Sequence, residues 1–439
     1  MKNVLVLGAG LVARPLVHYL LDQPDFKVMV ASRTAEKAKV LVGNHPQGEA
    51  HGLDVTDAKS LAAYIPNADL VISLVPYTHH VTVANLCIEY KKNMVTTSYV
   101  SDAMRQLDKA AKKAGIIILN EIGLDPGIDH MSAMRIIHAV QNNGGKVTSF
   151  YSYCGGLPAP EANPNPFGYK FSWSPRGVVL AGRNNARYLK DGTVIEILGK
   201  DLFDHYWKLP VEGLGDFEAY PNRDSLGYID IYGLQGISTM FRGTLRNMGW
   251  CKTWKKIADM GFLDDAKKYD FTKLTCKTFV GQLVGSAGSN VKSDLAKYLK
   301  LDSASDVIGR IEWLGLLEEK TPSLKEGSAL DLLVCVLLEK LQYQTGERDM
   351  IVLRHEFEAQ YSNEREKITS TLIDYGIPNG DSAMSRTVGL PAAIGSRMIL
   401  QKKITLTGVH IPVLPEIYEP VLNELEQKGI RFTEKKEII

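Results

Sequence analysis

The stretch Asn120 to His130 reads N-E-I-G-L-D-P-G-I-D-H and sets ionisable groups among apolar ones. Asp125 precedes Pro126, and a residue before proline is driven out of the helical region. Its carboxylate has two roles open to it. It can cap a helix whose start Pro126 and Gly127 prepare, or it can meet the cationic amine of a ligand. Upstream, V-T-T-S-Y-V-S from Val95 to Ser101 offers Ser98 and Tyr99. Both stretches follow apolar, strand-like runs, and loops at the carboxyl ends of parallel strands are where open sheets bind ligands. Downstream, S-Y-C-G-G-L-P-A-P from Ser152 to Pro160 ends a predicted strand at Cys154. A lone cysteine is most often a small core residue, and no neighbouring base makes this one a nucleophile.

Three arginines suit a ligand with several carboxylates. Arg223 lies in the turn-like run Tyr220 to Ser225, and Arg242 and Arg246 lie in Phe241 to Arg246. Burying carboxylates requires guanidinium forks and backbone donors to offset desolvation. Gly243-Thr244 beside Arg242 predicts a loop where backbone can approach a ligand. Taken singly, each arginine is more often a surface or structural residue.

The chain opens with V-L-V-L-G-A-G-L-V-A, Val4 to Ala13. A strand ending in Gly8-Ala9-Gly10 leaves bare backbone where a pyrophosphate must come close. The helix from Leu11 and Val12 then aims its first amides at the anion. Flavin and methyl-donor sites share this spacing, but its place at the start of an alternating domain favours a dinucleotide. After the second strand stands Ser32-Arg33-Thr34, with no carboxylate for a ribose hydroxyl. Arg33 can pair with a 2′-phosphate and the two hydroxyls can add donors, so NADP(H) is expected rather than NAD. Asp54 and Val55 suit the adenine end. Val75, Pro76, Tyr77 and Thr78 follow the fourth strand on the nicotinamide side, and Ser98, Leu124 and Asp125 complete the expected nucleotide contacts.

These groups need elements to hold them. Predicted strands are Val4–Leu7, Lys27–Ala31, Asp69–Leu74, Met94–Thr97 and Ile116–Asn120. Between them fall predicted helices at Leu11–Leu21, Ala35–Val42, Val81–Tyr90 and Met104–Ala114. Such alternation implies a parallel, doubly wound α/β sheet. Beyond Lys146 come predicted strands Val147–Cys154 and Thr193–Ile197, with a proline-rich loop from Gly155 to Pro166. Residues 241 to about 340 read as mostly helical, with Trp250 and Trp254 one turn apart. Asp349–Phe357 and Lys367–Tyr375 read as strands, followed by helices Val388–Leu400 and Glu416–Lys428.

At 439 residues, two or three domains are expected. With 51 basic against 50 acidic residues, the chain lacks the sustained basic excess of nucleic-acid or membrane-surface proteins. Five scattered cysteines and ten histidines show neither Cys-x-x-Cys nor His-Glu-x-x-His spacing, so no zinc site or disulfide framework is expected. A strand begins at once and no apolar run reaches the roughly 18 residues of a membrane span. A cytoplasmic, metal-free protein is expected.

Taken together, the quoted stretches resemble the glutamate-forming saccharopine dehydrogenases, also called saccharopine reductases, nearly from end to end. The resemblance implies a Rossmann-like NADP(H)-binding domain of residues 1–127 plus 390–439. It implies an inserted α+β substrate and dimerisation domain of 128–245 plus 328–389, and a small helical domain of 246–327. It places Cys154 and Ser174 in the substrate pocket with Ser98, Tyr99, Asp125, Arg223, Arg242, Gly243 and Thr244. The implied reaction is NADPH-dependent reduction of the imine of L-glutamate and 2-aminoadipate 6-semialdehyde to saccharopine, by a homodimer acting on small molecules. For the proton, Asp125, Tyr99, Cys154 and water stay open. The alternatives are another imine-reducing dehydrogenase, of the carboxynorspermidine type, which would want acidic substrate contacts, and a nucleotide-sensing protein without catalysis.

Overall fold

A computed structural model describes residues 1–288 and 290–439. The chain divides into two compact units, 1–147 with 359–366 and 370–439, and 148–358 with 367–369.

In the first unit the alternating pattern folds into a seven-stranded sheet. Its strands are β1 (Lys2–Leu7), β2 (Phe26–Ser32), β3 (Gly48–Gly52), β4 (Leu70–Ser73), β5 (Asn93–Thr96), β6 (Ile117–Leu119) and the late strand Gly408–His410. From one edge to the other the order is Gly408–His410, β6, β5, β4, β1, β2, β3, and every pairing is parallel. Order 3-2-1-4-5-6 is that of dinucleotide-binding sheets. Val4 to Leu7 are buried to within 1%, as a strand covered on both faces requires. One cover is the helix Ala13–Leu21, against which the long helix Ala383–Leu400 lies. A Cβ on Gly389 would come within 2.9 Å of the Val12 carbonyl oxygen, so this close crossing needs glycine there.

Several elements depart from the sequence expectation. The predicted helix Met104–Ala114 is two helices, Asp102–Arg105 and Asp108–Ala114, because Ser101 caps an earlier start by accepting from the Met104 amide. Likewise the helix expected from Val388 begins at Ala383, where the Ser382 side chain accepts from Ser385 N. β3 reads G-E-A-H-G; an edge strand can pair through its backbone without an apolar run. A further strand, Phe432–Ile438, pairs with Arg365–Tyr375.

In the second unit, strands Trp207–Val211, Gly215–Pro221, Thr239–Asn247, Lys146–Pro158 and Asp349–Gln360 are neighbours in that order. The expected loop around Arg242 is instead the middle of the buried strand Thr239–Asn247. The reason lies in packing. The Phe241 ring and the Tyr220 carbonyl oxygen would stand 2.5 and 2.9 Å from a Cβ on Gly243, so its missing side chain serves dense sheet packing. The same holds next door, where the strand expected to end at Cys154 runs on to Pro158. Gly155 there lies 2.9 Å from Leu245 at its Cβ position. The proline-rich stretch is thus part strand, followed by a short 3-10 turn at Pro160–Ala162.

Helices Trp250–Asp259, Cys276–Val284, Val291–Leu299 and Asp306–Trp313 follow. Glu218 fastens the first of them, its two carboxylate oxygens accepting from Gly249 N and Cys251 N at 2.7 Å each. Trp250 and Trp254, one turn apart, have ring centroids 4.9 Å apart, and Trp254 is 1% exposed. Trp254→Ala should destabilise the protein by about 3–5 kcal/mol, from lost transfer and cavity energy together. Urea unfolding followed by circular dichroism measures this.

Candidate functional site

Every nucleotide residue expected in the first unit follows the carboxyl end of a parallel strand. Gly8 follows β1, donates its N–H to the Ala31 carbonyl at 2.8 Å, and has φ +112°. A Cβ there would lie 2.9 Å from the Leu74 carbonyl oxygen, so only glycine fits. Gly10 and Leu11 are exposed, and a Cβ on Gly10 would meet nothing within 4 Å. Val12 occupies the N-cap of helix Ala13–Leu21, and no side chain caps that helix. Ala13 N donates to the Gly10 carbonyl at 3.2 Å and Pro15 has no N–H, so of the first three helical residues Arg14 is the one whose amide is left to face an anion.

Ser32 ends β2, with Arg33 and Thr34 exposed beyond it. Asp54, after β3, accepts from the Thr56 amide and hydroxyl at 2.9 and 2.8 Å. Those bonds, with the fields of Arg33 and His79, hold its carboxyl below the usual range. Val55 is half-buried, and after β4 come Val75, Pro76, Tyr77 and Thr78, the last three exposed. This edge fits a dinucleotide: a glycine cradle, a helix start that no side chain caps, and an arginine where an NAD site would carry a carboxylate.

Ser98 and Tyr99 follow β5, and Leu124 and Asp125 follow β6. The structure brings these two loops together: the Tyr99 hydroxyl donates to Asp125 Oδ1 at 2.8 Å. Asp125 is not a helix cap. The N-cap of helix Ile128–Asn142 is Gly127, whose amide donates to Asp129 Oδ1 at 2.6 Å. That leaves the Asp125 carboxylate half-buried and facing Tyr99.

Three buried polar residues were not assigned a role from the sequence. Glu121 is 1% exposed and sits at φ +57°. Its Oε1 accepts from Val100 N and its Oε2 pairs with His130 Nε2, both at 2.8 Å. It therefore ties the Tyr99 loop to the helix behind Asp125. His80 lies 2.9 Å from Ser98 Oγ through Nε2 and 2.9 Å from Ser73 Oγ through Nδ1. Burial depresses its pKa to about 4, with a smaller push from His79, so a neutral ring orients the Ser98 hydroxyl. Asn120 to His130 held two of these residues in plain view, but only the tertiary contacts distinguish a buried carboxylate from a surface one.

In the second unit, Arg242 is buried and its guanidinium stacks 4.5 Å from the Tyr228 ring centroid. Its amide donates to Ser225 Oγ, and its carbonyl accepts from Asn222 N at 2.9 Å. Arg223 is therefore held beside Arg242, at φ +56° in a turn pinned to the strand. Gly243 faces Tyr153 and Thr244 faces buried Cys154 in the parallel ladder. Ser174 is exposed and caps helix Pro175–Ala181, accepting from Gly177 N at 3.2 Å. Its contact is with its own helix.

Two family models together span nearly this whole chain. Residues 4–119 match the saccharopine dehydrogenase NADP binding domain, and residues 123–430 match the saccharopine dehydrogenase C-terminal domain. The chain belongs to the saccharopine dehydrogenase family. It is 40% identical over 447 residues to the saccharopine dehydrogenase [NADP(+), L-glutamate-forming] of Schizosaccharomyces pombe, covering 99% of each chain. To the protein of that name from Saccharomyces cerevisiae it is 43% identical, again over 99% of each. A solved apo saccharopine dehydrogenase (L-Glu forming) from Saccharomyces cerevisiae superposes with TM-score 0.90 at 41% identity over the full length of both. The α/β class and the Rossmann-like nucleotide domain are those of the family.

For this family member, Arg33→Ala should weaken NADPH by about 1–3 kcal/mol, the cost of a lost charge-assisted contact. NADH binding should barely change, and fluorescence titration of both cofactors checks the difference. Asp125→Asn separates structure from chemistry. The melting temperature should stay within a degree or two, while saccharopine oxidation falls ten-fold or more, at about 1.4 kcal/mol per factor of ten.

Proposed function

We propose that this protein reduces the imine formed from L-glutamate and 2-aminoadipate 6-semialdehyde to saccharopine, reversibly and with NADPH, in lysine biosynthesis by the aminoadipate route. The observation that carries the reading is full-length identity of 40 to 43% to relatives named saccharopine dehydrogenase [NADP(+), L-glutamate-forming]. NADP(H) is the cofactor, and when bound it supplies or takes the hydride. Gly8, Gly10, Leu11 and Val12 would hold its pyrophosphate. Ser32, Arg33 and Thr34 would take the 2′-phosphate, and Asp54 and Val55 the adenosine. Val75, Pro76, Tyr77, Thr78, Ser98, Leu124 and Asp125 would frame the nicotinamide.

This chain's own residues then do the rest by placement and charge. The Asp125 carboxylate opposes the positive charge of the protonated imine, and the Tyr99 hydroxyl fixes its orientation. In the oxidative direction the secondary amine must lose a proton before its carbon can lose hydride. Asp125, Tyr99 and Cys154 are the candidate groups for it, together with water. Arg223 and Arg242 pair with carboxylates, Gly243, Thr244 and Ser98 add small polar contacts, and Ser174 completes the set. Basic rather than acidic contacts favour an amino-dicarboxylate over a polyamine. The enzyme works as a cytoplasmic homodimer in this reading, which rests on the family resemblance. Among the described residues no helix is long and apolar enough to cross a membrane.

The test is NADPH oxidation with aminoadipate semialdehyde and either glutamate or a diamine. Turnover should require glutamate, and Arg223→Ala, at an exposed position, should raise the KM for saccharopine at least ten-fold with NADPH binding unchanged. Preference for the diamine would sink the reading.

A further inference from the structure

Arg246 is a buried cation that its surroundings do not neutralise. It is 7% exposed. Its Nη1 donates to the Leu245 carbonyl at 2.8 Å, its Nε has no acceptor, and among the described residues it belongs to no ion pair. The carboxylate facing it in the ladder is Glu218. Both of that carboxylate's oxygens already accept backbone amides, those of Gly249 and Cys251. Around the guanidinium are aromatic faces, with the Tyr169 and Trp250 ring centroids 5.0 and 5.3 Å away. Stacking offsets part of the desolvation but supplies no acceptor. The indole N–H of Trp250 is also buried without one.

A buried donor without an acceptor is costly, and a buried charge without a counter-charge more so. Two such donors in one stacked contact call for a ligand that only accepts, which is what an ionised carboxylate is. Position agrees with chemistry. Side chains alternate along a strand, so Arg242, Thr244 and Arg246 share a face, and Thr244 stands opposite Cys154.

We propose that Arg246 and the Trp250 indole N–H form a carboxylate subsite that grips one end of an amino-dicarboxylate substrate. The identity of that substrate rests on the function proposed above; the anion subsite does not. Glutarate, a plain dicarboxylate, is the probe, titrated calorimetrically into the NADPH-saturated protein. Arg246→Met should weaken glutarate at least ten-fold and Trp250→Phe, which keeps a ring, at least three-fold, with NADPH affinity unchanged. Where the methionine variant does not fold, Arg246→Lys, which keeps the charge but loses the planar fork, carries the same readout. Unchanged glutarate affinity in the Arg246 variant, or no glutarate binding by the unmodified protein, overturns the subsite. Arg246-dependent glutarate binding without saccharopine turnover would uphold the subsite and sink the proposed function.

Discussion

Parallel hydrogen bonding is the constraint on which the nucleotide site depends. Because β1 to β6 all run the same way, their carboxyl ends share one edge. Residues as far apart in sequence as Gly8, Arg33, Asp54, Tyr77, Ser98 and Asp125 then belong to one row of loops. No loop needs to be long, since the sheet does the gathering. Glycine enters where the row is tightest, at Gly8, where a Cβ would meet the Leu74 carbonyl.

Gathering loops is not the same as fixing them. Glu121 accepts from the Val100 amide and pairs with His130, while Asp129 takes the Gly127 amide. These buried contacts hold the backbone just after Tyr99 and just after Asp125. A half-exposed pair of functional groups thus rests on polar contacts that water cannot enter. Replacing such partners singly leaves a buried group unsatisfied, so the site is stiff where its chemistry must be aimed.

The second unit solves a different problem, that of burying guanidinium groups in a sheet. Arg242 lies on Tyr228, and Arg246 on Tyr169 and Trp250. At Arg246 the aromatic faces meet the cation without consuming its donors, unlike a carboxylate partner. Strand alternation then puts these arginines on one face at a fixed spacing, a firmer platform than a loop gives.

Much of the first unit was legible because its signals are local. The glycines after β1, the missing carboxylate after β2 and the apolar runs of β1, β2, β4, β5 and β6 each depend on a few adjacent residues. They sufficed for the parallel α/β class, the NADP(H) preference and the candidate loops, and the quoted motifs were enough to mark the family. Register was not legible. Gly243 reads as a loop glycine until it is paired with Tyr153, some 90 residues away, and β3 has no apolar pattern to reveal it. Nor could sequence separate the cap reading of Asp125 from the ligand reading, since the N-cap is Gly127, whose amide is held by Asp129 through a contact that only the folded turn creates. The chain by itself determined what depends on backbone freedom and hydrophobic period. Burial, pairing and the partners of each charge were decided by tertiary structure, because they depend on residues distant in sequence that meet only once the sheets have formed.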